Sequence, residues 1–478
     1  PSKPDGLIDI TVNGGTDSDR DTVAILDVSN TTNINYNASD ADSATIIGVQ
    51  LVPVMVNDVD QVTVDAQNKV VTIELPTTAG GDAVSFDVTK PDSGPGSGRL
   101  QVGANLPVDF VRAANGSRIL IDDSAGGGSD SLTYDGDGVA NTFVVTRGGS
   151  ATVGIIDSDL SLATVETTNI EALTIHAGGG DDTVTIGANP PYVLTIDGDL
   201  GNDTVELTGV GSAITIDVSN AIPTIVGGGI SATPVALTSF EIIKLNAGSQ
   251  AVSIITGVNG STYRPTSANS GELQMAGGPK LVLSFVNGLS VVSEMAGTVS
   301  SGTVTVDASS ASDKSVQVSR GSATVVSVDA LLPISVTSDS TILTVNTGDG
   351  EDAFTVSGSG GPAMIVLNAG NGVDSFAVSG PGGPGTVTLN AGSGATGSVL
   401  LTGSGSAENF VMTPHATDAA QGVLTFGGTT LNLMGIGVDS LDVVGGGGDD
   451  TVTLNVPLTT DAIVLTADMA DDAGTVQA

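Results

Sequence analysis

Six copies of a short turn rich in glycine and aspartate recur along this chain of 478 residues. Each fits x-G-x-G-x-D-x-U-x, with U apolar, except that one copy has Asp199 at the second position. Glycine reaches backbone angles that point carbonyl oxygens inward, and the aspartate adds a charged oxygen beside them. Such a segment turns a corner and offers hard oxygen ligands to a cation. The copies are AGGGSDSLT at 125, AGGGDDTVT at 177, GDLGNDTVE at 198, TGDGEDAFT at 347, AGNGVDSFA at 369 and GGGGDDTVT at 445.

The spacing of these turns predicts the fold. The positions of Asp182 and Asp203 differ by 21, and those of Asp352 and Asp374 differ by 22. One more interval of the same length leads from Asp374 to Thr396, in the related segment GSGATGSVL, which lacks the acid. Each interval fits one coil of a β-solenoid, stacked on the next coil at the ~4.8 Å spacing of paired strands. We therefore expect successive acidic corners to lie in register along a single edge of the stack, near enough to share metal.

Two intervals are longer: positions differ by 52 between Asp130 and Asp182, and by 54 between Thr396 and Asp450. Both contain a second recurring element, which predicts a duplicated module of roughly fifty residues with single-coil insertions. Its copies are NTFVVT at 141 and ENFVMT at 408, with weaker versions SFDVT at 85, SVQVS at 315 and a decayed STYRPT at 261.

Composition favours an all-β chain. The 66 glycines and the apolar/polar alternation of segments such as DTVTI and TVTLN are typical of short strands joined by turns. Residues 161–173 (SLATVETTNIEAL) contain many β-branched residues and predict strand rather than helix. The segment 61–75 predicts a hairpin about Gln67 and Asn68. The predicted architecture is a repetitive β-solenoid rod with coils of about 22 residues and a possible N-terminal β domain.

The chain is strongly acidic, with 53 acids against 13 bases and a net charge of −40. Such a chain does not bind nucleic acid by neutralising phosphates, and anionic membranes repel it. Two carboxylates stacked ~4.8 Å apart repel by about 1 kcal/mol in water and by more in a lower dielectric. Because Lys and Arg are few, divalent cations are the expected counter-ions.

Other features limit the kinds of site and the cellular location that the sequence predicts. The chain has no cysteine, which excludes disulfides, thiolate metal sites and a cysteine nucleophile. No apolar run approaches the ~18 residues of a membrane span. The chain starts at Pro1 without a visible signal peptide, so we interpret it as a processed or excised segment, and an exported origin is a hypothesis.

The turns resemble the hemolysin-type, or RTX, calcium-binding repeat of secreted bacterial proteins, G-G-x-G-x-D-x-U-x. The resemblance implies that the turn aspartates bind Ca2+ between coils and that the U residues pack inward. It covers only the six turns and departs from the family, whose repeats follow one another in tandem. More broadly, the chain resembles long repetitive bacterial cell-surface and extracellular-matrix proteins. The implied ligands are Asp130, Asp182, Asp203, Asp352, Asp374 and Asp450, joined by Asp199, Asp349 and Asp449 of the same turns, and the implied core residues are Leu132, Val184, Val205, Phe354, Phe376 and Val452.

An alternative interpretation of the turns stays open. Gly-Asp turns occur in any β protein, because aspartate hydrogen-bonds its own backbone and glycine supplies positive φ. Catalysis is not expected: the chain has no Trp, four Tyr, and two histidines, His176 and His415, far apart in sequence. We expect His176 to be an exposed strand residue.

These observations predict four regions: an N-terminal β domain or cap over 1–80, repeat modules with Gly-Asp turns over 81–210 and 313–478, and a degenerate β region over 211–312. The end of the chain, just after the degenerate turn ADMADDAG, suggests head-to-tail stacking of copies into a homopolymer. The predicted function is an extracellular structural protein that forms a filament, sheath or surface layer, rigidified by Ca2+. The alternative is an adhesin stalk that binds a surface glycan or another cell.

Overall fold

The structure is a computed structural model. It describes residues 10–15, 20–25, 32–48, 53–77, 80–90, 96–114, 116–122, 128–148, 152–157, 164–187, 193–247, 250–256, 260–275, 279–284, 292–296, 303–309, 312–337, 342–380, 385–392, 396–415, 421–434 and 437–455. Within these ranges every regular element is a strand, as the composition predicts, and no helix long and apolar enough to cross a membrane occurs among them.

The described residues form 43 strands. The first fifteen are β1 (Ile10–Asn13), β2 (Thr22–Ile25), β3 (Thr32–Ala38), β4 (Ala44–Gly48), β5 (Val54–Asn57), β6 (Gln61–Asp65), β7 (Val71–Pro76), β8 (Ala83–Asp87), β9 (Gly98–Val102), β10 (Val108–Val111), β11 (Arg118–Asp122), β12 (Ser131–Asp135), β13 (Thr142–Gly148), β14 (Thr152–Asp157) and β15 (Thr164–Thr168). The next fourteen are β16 (Ala172–His176), β17 (Thr183–Ile186), β18 (Val193–Asp197), β19 (Thr204–Leu207), β20 (Ile214–Asp217), β21 (Thr224–Gly227), β22 (Ser231–Thr238), β23 (Ile242–Asn246), β24 (Val252–Thr256), β25 (Ser261–Ser267), β26 (Ser270–Met275), β27 (Lys280–Ser284), β28 (Val292–Ala296) and β29 (Thr303–Asp307). The last fourteen are β30 (Ser315–Arg320), β31 (Ala323–Val328), β32 (Ile334–Thr337), β33 (Ile342–Asn346), β34 (Ala353–Gly358), β35 (Met364–Asn368), β36 (Val373–Ser379), β37 (Gly385–Asn390), β38 (Thr396–Thr402), β39 (Asn409–Pro414), β40 (Gly422–Phe426), β41 (Thr429–Met434), β42 (Gly437–Val444) and β43 (Thr451–Leu454).

The chain divides into two compact units, residues 1–215 with 222–248, and residues 216–221 with 249–478. In the first unit the chain alternates between two sheets, here called sheet A and sheet B. In sheet A, β7, β11 and β15 pair in parallel, with Ile73, Ile119 and Val165 in register. In sheet B, β8, β12, β16 and β18 pair in parallel in the same way. One coil is thus one strand in each sheet joined by two corners, an all-β repetitive fold that fits a β-solenoid.

The second unit repeats this arrangement. In its sheet A, β33, β35, β37 and β41 pair in parallel, and in its sheet B, β30, β34, β36, β38 and β42 do so. Alternate residues of β33, β34 and β35 point inward and are buried, as in β35, where Ile365 and Leu367 are buried. Phe354 and Phe376 stack inside with ring centroids 5.1 Å apart. The short intervals between turns therefore correspond to single coils, as they do in the first unit, where Thr183 lies opposite Thr204.

The second recurring element is the first strand of a three-stranded antiparallel meander. NTFVVT gives β13, which pairs with β14, which pairs with β15. The copies at 85, 261, 315 and 408 likewise begin meanders of β8–β10, β25–β27, β30–β32 and β39–β41. A sixth meander, β3–β5, begins at TNINYNA, which the recurring pattern does not identify. Two extra strands in one coil account for most of the extra length of the longer intervals between turns.

One prediction of local structure is wrong and another is confirmed. β6 and β7 do not form a hairpin: β6 pairs with β2 and β10, whereas β7 pairs with β3 and β11. Gln67 and Asn68 have φ of 50° and 62°, and they turn the chain from sheet B into sheet A. Among the described residues of 161–173, 164–168 and 172–173 are strand, in β15 and the start of β16, and 169–171 form the bend between them, so strand rather than helix is confirmed. The division into four regions stays a prediction.

Candidate functional site

The acidic turns occupy two kinds of corner. Asp130, Asp352 and Asp374 lie where the chain passes from sheet A to sheet B, before β12, β34 and β36. Asp182, Asp203 and Asp450 lie where it passes from sheet B to sheet A, before β17, β19 and β43. The prediction that the acidic corners all lie along a single edge of the stack is therefore wrong. A turn of this sequence suits either corner, because it needs only a change of direction and an inward apolar residue afterwards.

Within each corner, adjacent copies stack as the spacing predicts. The backbone N–H of Asp182 donates to Oδ1 of Asp203 at 2.7 Å, and the N–H of Asp352 donates to Oδ1 of Asp374 at 3.0 Å. The carboxylate of one coil thus accepts a hydrogen bond from the backbone N–H of the coil before it. We call this contact the corner clamp. The same clamp joins Asn141 to Asp182, Asp82 to Asp130, Lys314 to Asp352 and Glu408 to Asp450, each from backbone N–H to Oδ1.

Two coils without the motif use glutamate in place of aspartate. Glu171 accepts the N–H of Asp130, and Glu241 accepts the N–H of Asp203, each at 2.7 Å. The sequence analysis missed both residues. A signal was present: each follows a turn residue of positive φ, Asn169 or Ser239, in the similar segments TNIEAL and TSFEII.

Five of the clamp aspartates are buried, whereas the clamp glutamates Glu171 and Glu241 are exposed residues. Asp130, Asp182, Asp352 and Asp374 are 1% exposed and Asp203 is fully buried, whereas Asp450 is partly exposed. In two copies the first turn residue is a glycine that makes room for the carboxylate of the same turn: a Cβ at Gly198 would lie 2.7 Å from Oδ2 of Asp203. At the fourth position, a Cβ at Gly201 would lie 1.7 Å from the carbonyl oxygen of Gly180 in the adjacent coil. The glycine at the fourth position is thus needed for coil-to-coil packing, whether or not a cation binds.

The other acids of the turns lie outside the clamp. Oδ1 of Asp349 accepts from the Asn371 side chain at 2.9 Å, and Oδ1 of Asp181 accepts the N–H of Asn202 at 2.9 Å. Asp449 is exposed. Asp199 lies near His176, with its Oδ2 3.9 Å from Nδ1 of the imidazole. The predicted ligands therefore divide into buried clamp residues and outer residues.

Two clamp carboxylates, those of Asp203 and Asp374, lack hydrogen-bond donors for part of their negative charge. Burial raises the pKa of Asp203, which the Asp182 N–H lowers and the nearby Glu241 raises again. Burial likewise raises the pKa of Asp374, against the lowering effect of the Asp352 N–H. In both residues Oδ2 is buried and accepts no hydrogen bond from the part of the chain that the structure describes. An ionised carboxylate at these positions therefore has one oxygen without a compensating donor.

We predict a pH dependence that these two residues control. Their folded-state pKa lies above the ordinary value of about 3.9 for aspartate, so as pH rises the unfolded chain loses these protons first. The folded state then binds more protons, and the free energy of unfolding falls as pH rises through the raised pKa. We expect the double variant Asp203→Asn, Asp374→Asn to lack this fall. Its stability relative to wild type should increase from about pH 4 upward.

Urea denaturation in calcium-free buffer at several pH values measures this difference. Wild type alone is a poor readout, because groups such as Asp65, whose pKa the Arg112 hydrogen bond lowers, act in the opposite direction. A stability difference that stays constant with pH would show that the two carboxylates titrate alike in the folded and unfolded chain.

Five of the six U residues are buried as predicted, namely Leu132, Val184, Val205, Phe354 and Phe376. Val452 is 36% exposed, so its prediction as a core residue is wrong. Its strand, β43, pairs with β39, and no other described strand lies beside it. The related segment GSGATGSVL is also offset by one residue, since Asp374 lies opposite Gly397 rather than Thr396. The degenerate turn ADMADDAG, which contains Asp472, lies outside the described residues.

Comparison with known proteins adds no family. No protein-family model matches the chain, and no curated protein matches it either. The likeness to hemolysin-type repeats therefore rests on the turn residues themselves.

Proposed function

We propose that this chain is an extracellular structural protein that self-assembles head to tail into a filament, sheath or surface layer. The observation that carries the proposal is the corner clamp, in which a turn carboxylate accepts a hydrogen bond from the backbone amide of the neighbouring coil. Together with the parallel pairing of both sheets, the clamp uses these carboxylates to hold successive coils together. A repeat stack whose polar groups serve coil-to-coil contact suits a load-bearing role.

Calcium rigidification is part of the proposal. Ca2+ takes carboxylate and main-chain oxygens, which are the donors that these turns provide. The buried Oδ2 atoms of Asp203 and Asp374 need a positive partner, and the chain carries few bases to supply one. A cation bound there would neutralise the negative charge of these buried carboxylates. The calcium ligands we propose are Asp130, Asp182, Asp199, Asp203, Asp349, Asp352, Asp374, Asp449 and Asp450.

Assembly is tested by light scattering and negative-stain imaging of purified chain across protein concentration, with Ca2+ or with chelator. Ordered polymers whose stiffness or length increases with Ca2+ are the expected result. Monomers at every concentration and calcium level would contradict self-assembly.

Calcium binding is tested separately by thermal melting. A ligand that binds only the folded state adds RT ln(1 + [L]/Kd), or about 2.7 kcal/mol at one hundred times Kd. We expect Tm to rise with Ca2+ in wild type, and to rise less in the double variant Asp203→Asn, Asp374→Asn. Mg2+ at equal ionic strength is the control for screening. Superimposable melts with Ca2+ and with chelator would leave the turns as structural corners only.

A glycan-binding adhesin stalk is the second candidate, favoured by one surface feature. A groove of about 570 Å³ in the second unit is lined by polar residues such as Ser406, Asn409 and Thr425 and by apolar residues such as Val411 and Phe426. Hydroxyl and amide groups of this kind hydrogen-bond sugars. Saturable binding of a glycan by monomers, lost on blocking this groove with Ser406→Trp, would favour the adhesin over the polymer.

A further inference from the structure

A cluster of one histidine and several carboxylates lies on the outside of the first unit, where three strands of sheet B end. His176, the last residue of β16, lies in register between Asp135 of β12 and Asp197 of β18. Asp199 follows Asp197 by two residues and turns back toward the imidazole. Parallel pairing thus brings a histidine and several carboxylates from successive coils onto one patch.

The geometry suits a single ion. One ligand atom from each of His176, Asp197 and Asp199 lies within 4.8 Å of the other two, and Nδ1 of His176 is 3.9 Å from Oδ2 of Asp199. Two ligands of one Zn2+ ion, at about 2.1 Å each, are at most about 4.2 Å apart. The 3.9 Å pair already meets this limit. No separation in the group exceeds this limit by more than about 0.6 Å, which a small rotation of a partly exposed side chain removes.

The local hydrogen bonds place Asp199 but leave the imidazole free. Oδ1 of Asp197 accepts the N–H of Asp199 at 3.1 Å, and Oδ2 of Asp199 accepts the N–H of Gly178 at 3.3 Å. By contrast, none of the hydrogen bonds among the described residues involves the His176 ring. The ring is 40% exposed and Asp199 38%, so an ion can enter from solvent and complete its shell with water.

We propose that His176, Asp197 and Asp199 form a binding site for a divalent transition-metal ion of the Zn2+ class, with Asp135 as an adjacent carboxylate. An imidazole nitrogen favours Zn2+, Co2+ or Ni2+ over the hard cations Ca2+ and Mg2+. This site is therefore chemically distinct from the all-oxygen corners. It shares Asp199 with the proposed calcium ligands, and at this position the imidazole gives the transition-metal ion preference over Ca2+. The site does not require the corners to bind calcium, and it binds one ion per chain.

The test uses Co2+ as a spectroscopic probe, followed by Zn2+ titration calorimetry on chelator-treated full chain. We expect one equivalent of Co2+ to give visible d–d absorption, which Zn2+ abolishes and excess Ca2+ does not. His176→Ala should remove the absorption and weaken Zn2+ binding by at least about 100-fold. Asp199→Asn should weaken binding as well.

The matched control is His415→Ala, which removes the other histidine of the chain and should leave binding unchanged. Far-UV circular dichroism of each variant checks that the strands remain, and His176→Asn provides a second, more conservative change. Zn2+ binding that is equal in wild type and His176→Ala, or Co2+ that Ca2+ displaces, would overturn the proposal.

Discussion

Replacing Gly370 by alanine is expected to lower the free energy of unfolding by about 3 kcal/mol, the sum of two effects. Gly370 has φ of +87°, a conformation that costs an L-residue about 1–2 kcal/mol. Its Cβ would also lie 2.0 Å from the carbonyl oxygen of Gly348 in the adjacent coil, so the stacked turns would have to separate. Overpacking of this kind adds about 1–3 kcal/mol. Urea denaturation followed by circular dichroism measures the change.

Gly428→Ala is the matched control within the same unit. Gly428 has φ of +84°, but a Cβ there meets no atom within 4 Å. This variant should lose only the conformational part, about 1–2 kcal/mol. Equal losses of unfolding free energy in the two variants would mean that the nearby carbonyl oxygen of Gly348 adds no cost to a side chain at position 370.

Replacing Asp203 by alanine is expected to destabilise the first unit, whereas replacing it by asparagine is not. Alanine removes the acceptor of the Asp182 N–H and leaves that donor buried, at a cost of about 1–3 kcal/mol. Asparagine keeps an oxygen at the same position and removes the charge that burial disfavours. At neutral pH without calcium, Asp203→Asn should therefore equal or exceed wild type in stability, and both variants are measured by urea denaturation.

We expect saturating Ca2+ to reverse the order of stability of wild type and Asp203→Asn. If Ca2+ binds through the free oxygen of the carboxylate, saturating Ca2+ stabilises wild type and leaves the asparagine variant unchanged. Equal destabilisation by alanine and asparagine, with or without Ca2+, would contradict the corner clamp, because only the loss of charge would then matter.

The repeat and its dimensions follow from the sequence. The regular recurrence of the turn, from Asp182 to Asp203 and from Asp352 to Asp374, predicts one coil per interval. Alternation in segments such as DTVTI predicts which side chains are buried. The second element at 141 and 408 predicts where coils are enlarged. These features are local and periodic, so a single chain contains enough repetition to reveal them.

The arrangement of the corners does not follow from the sequence. The same turn pattern precedes strands of sheet A at Asp203 and of sheet B at Asp374, and only strand pairing distinguishes the two. The apparent hairpin at Gln67 has the alternation and turn residues of a real one, but long-range pairing separates its strands. Glu171 lies outside the recurring pattern because that pattern contains aspartate and glycine, whereas the clamp requires only a carboxylate that reaches the neighbouring amide.

The meanders impose an order on folding that a simple stack lacks. In the first unit β15, the last strand of its meander, pairs with β11, whereas β13, the first, pairs with β17. A nascent chain leaving β12 must therefore place β13 three strand spacings ahead, roughly 14 Å, before β14 and β15 fill the gap behind it. We therefore expect the addition of one coil to the next to pause at each meander, because three strands must join the sheet together. The protein should consequently mature in blocks, with pauses at the meanders rather than at the acidic corners.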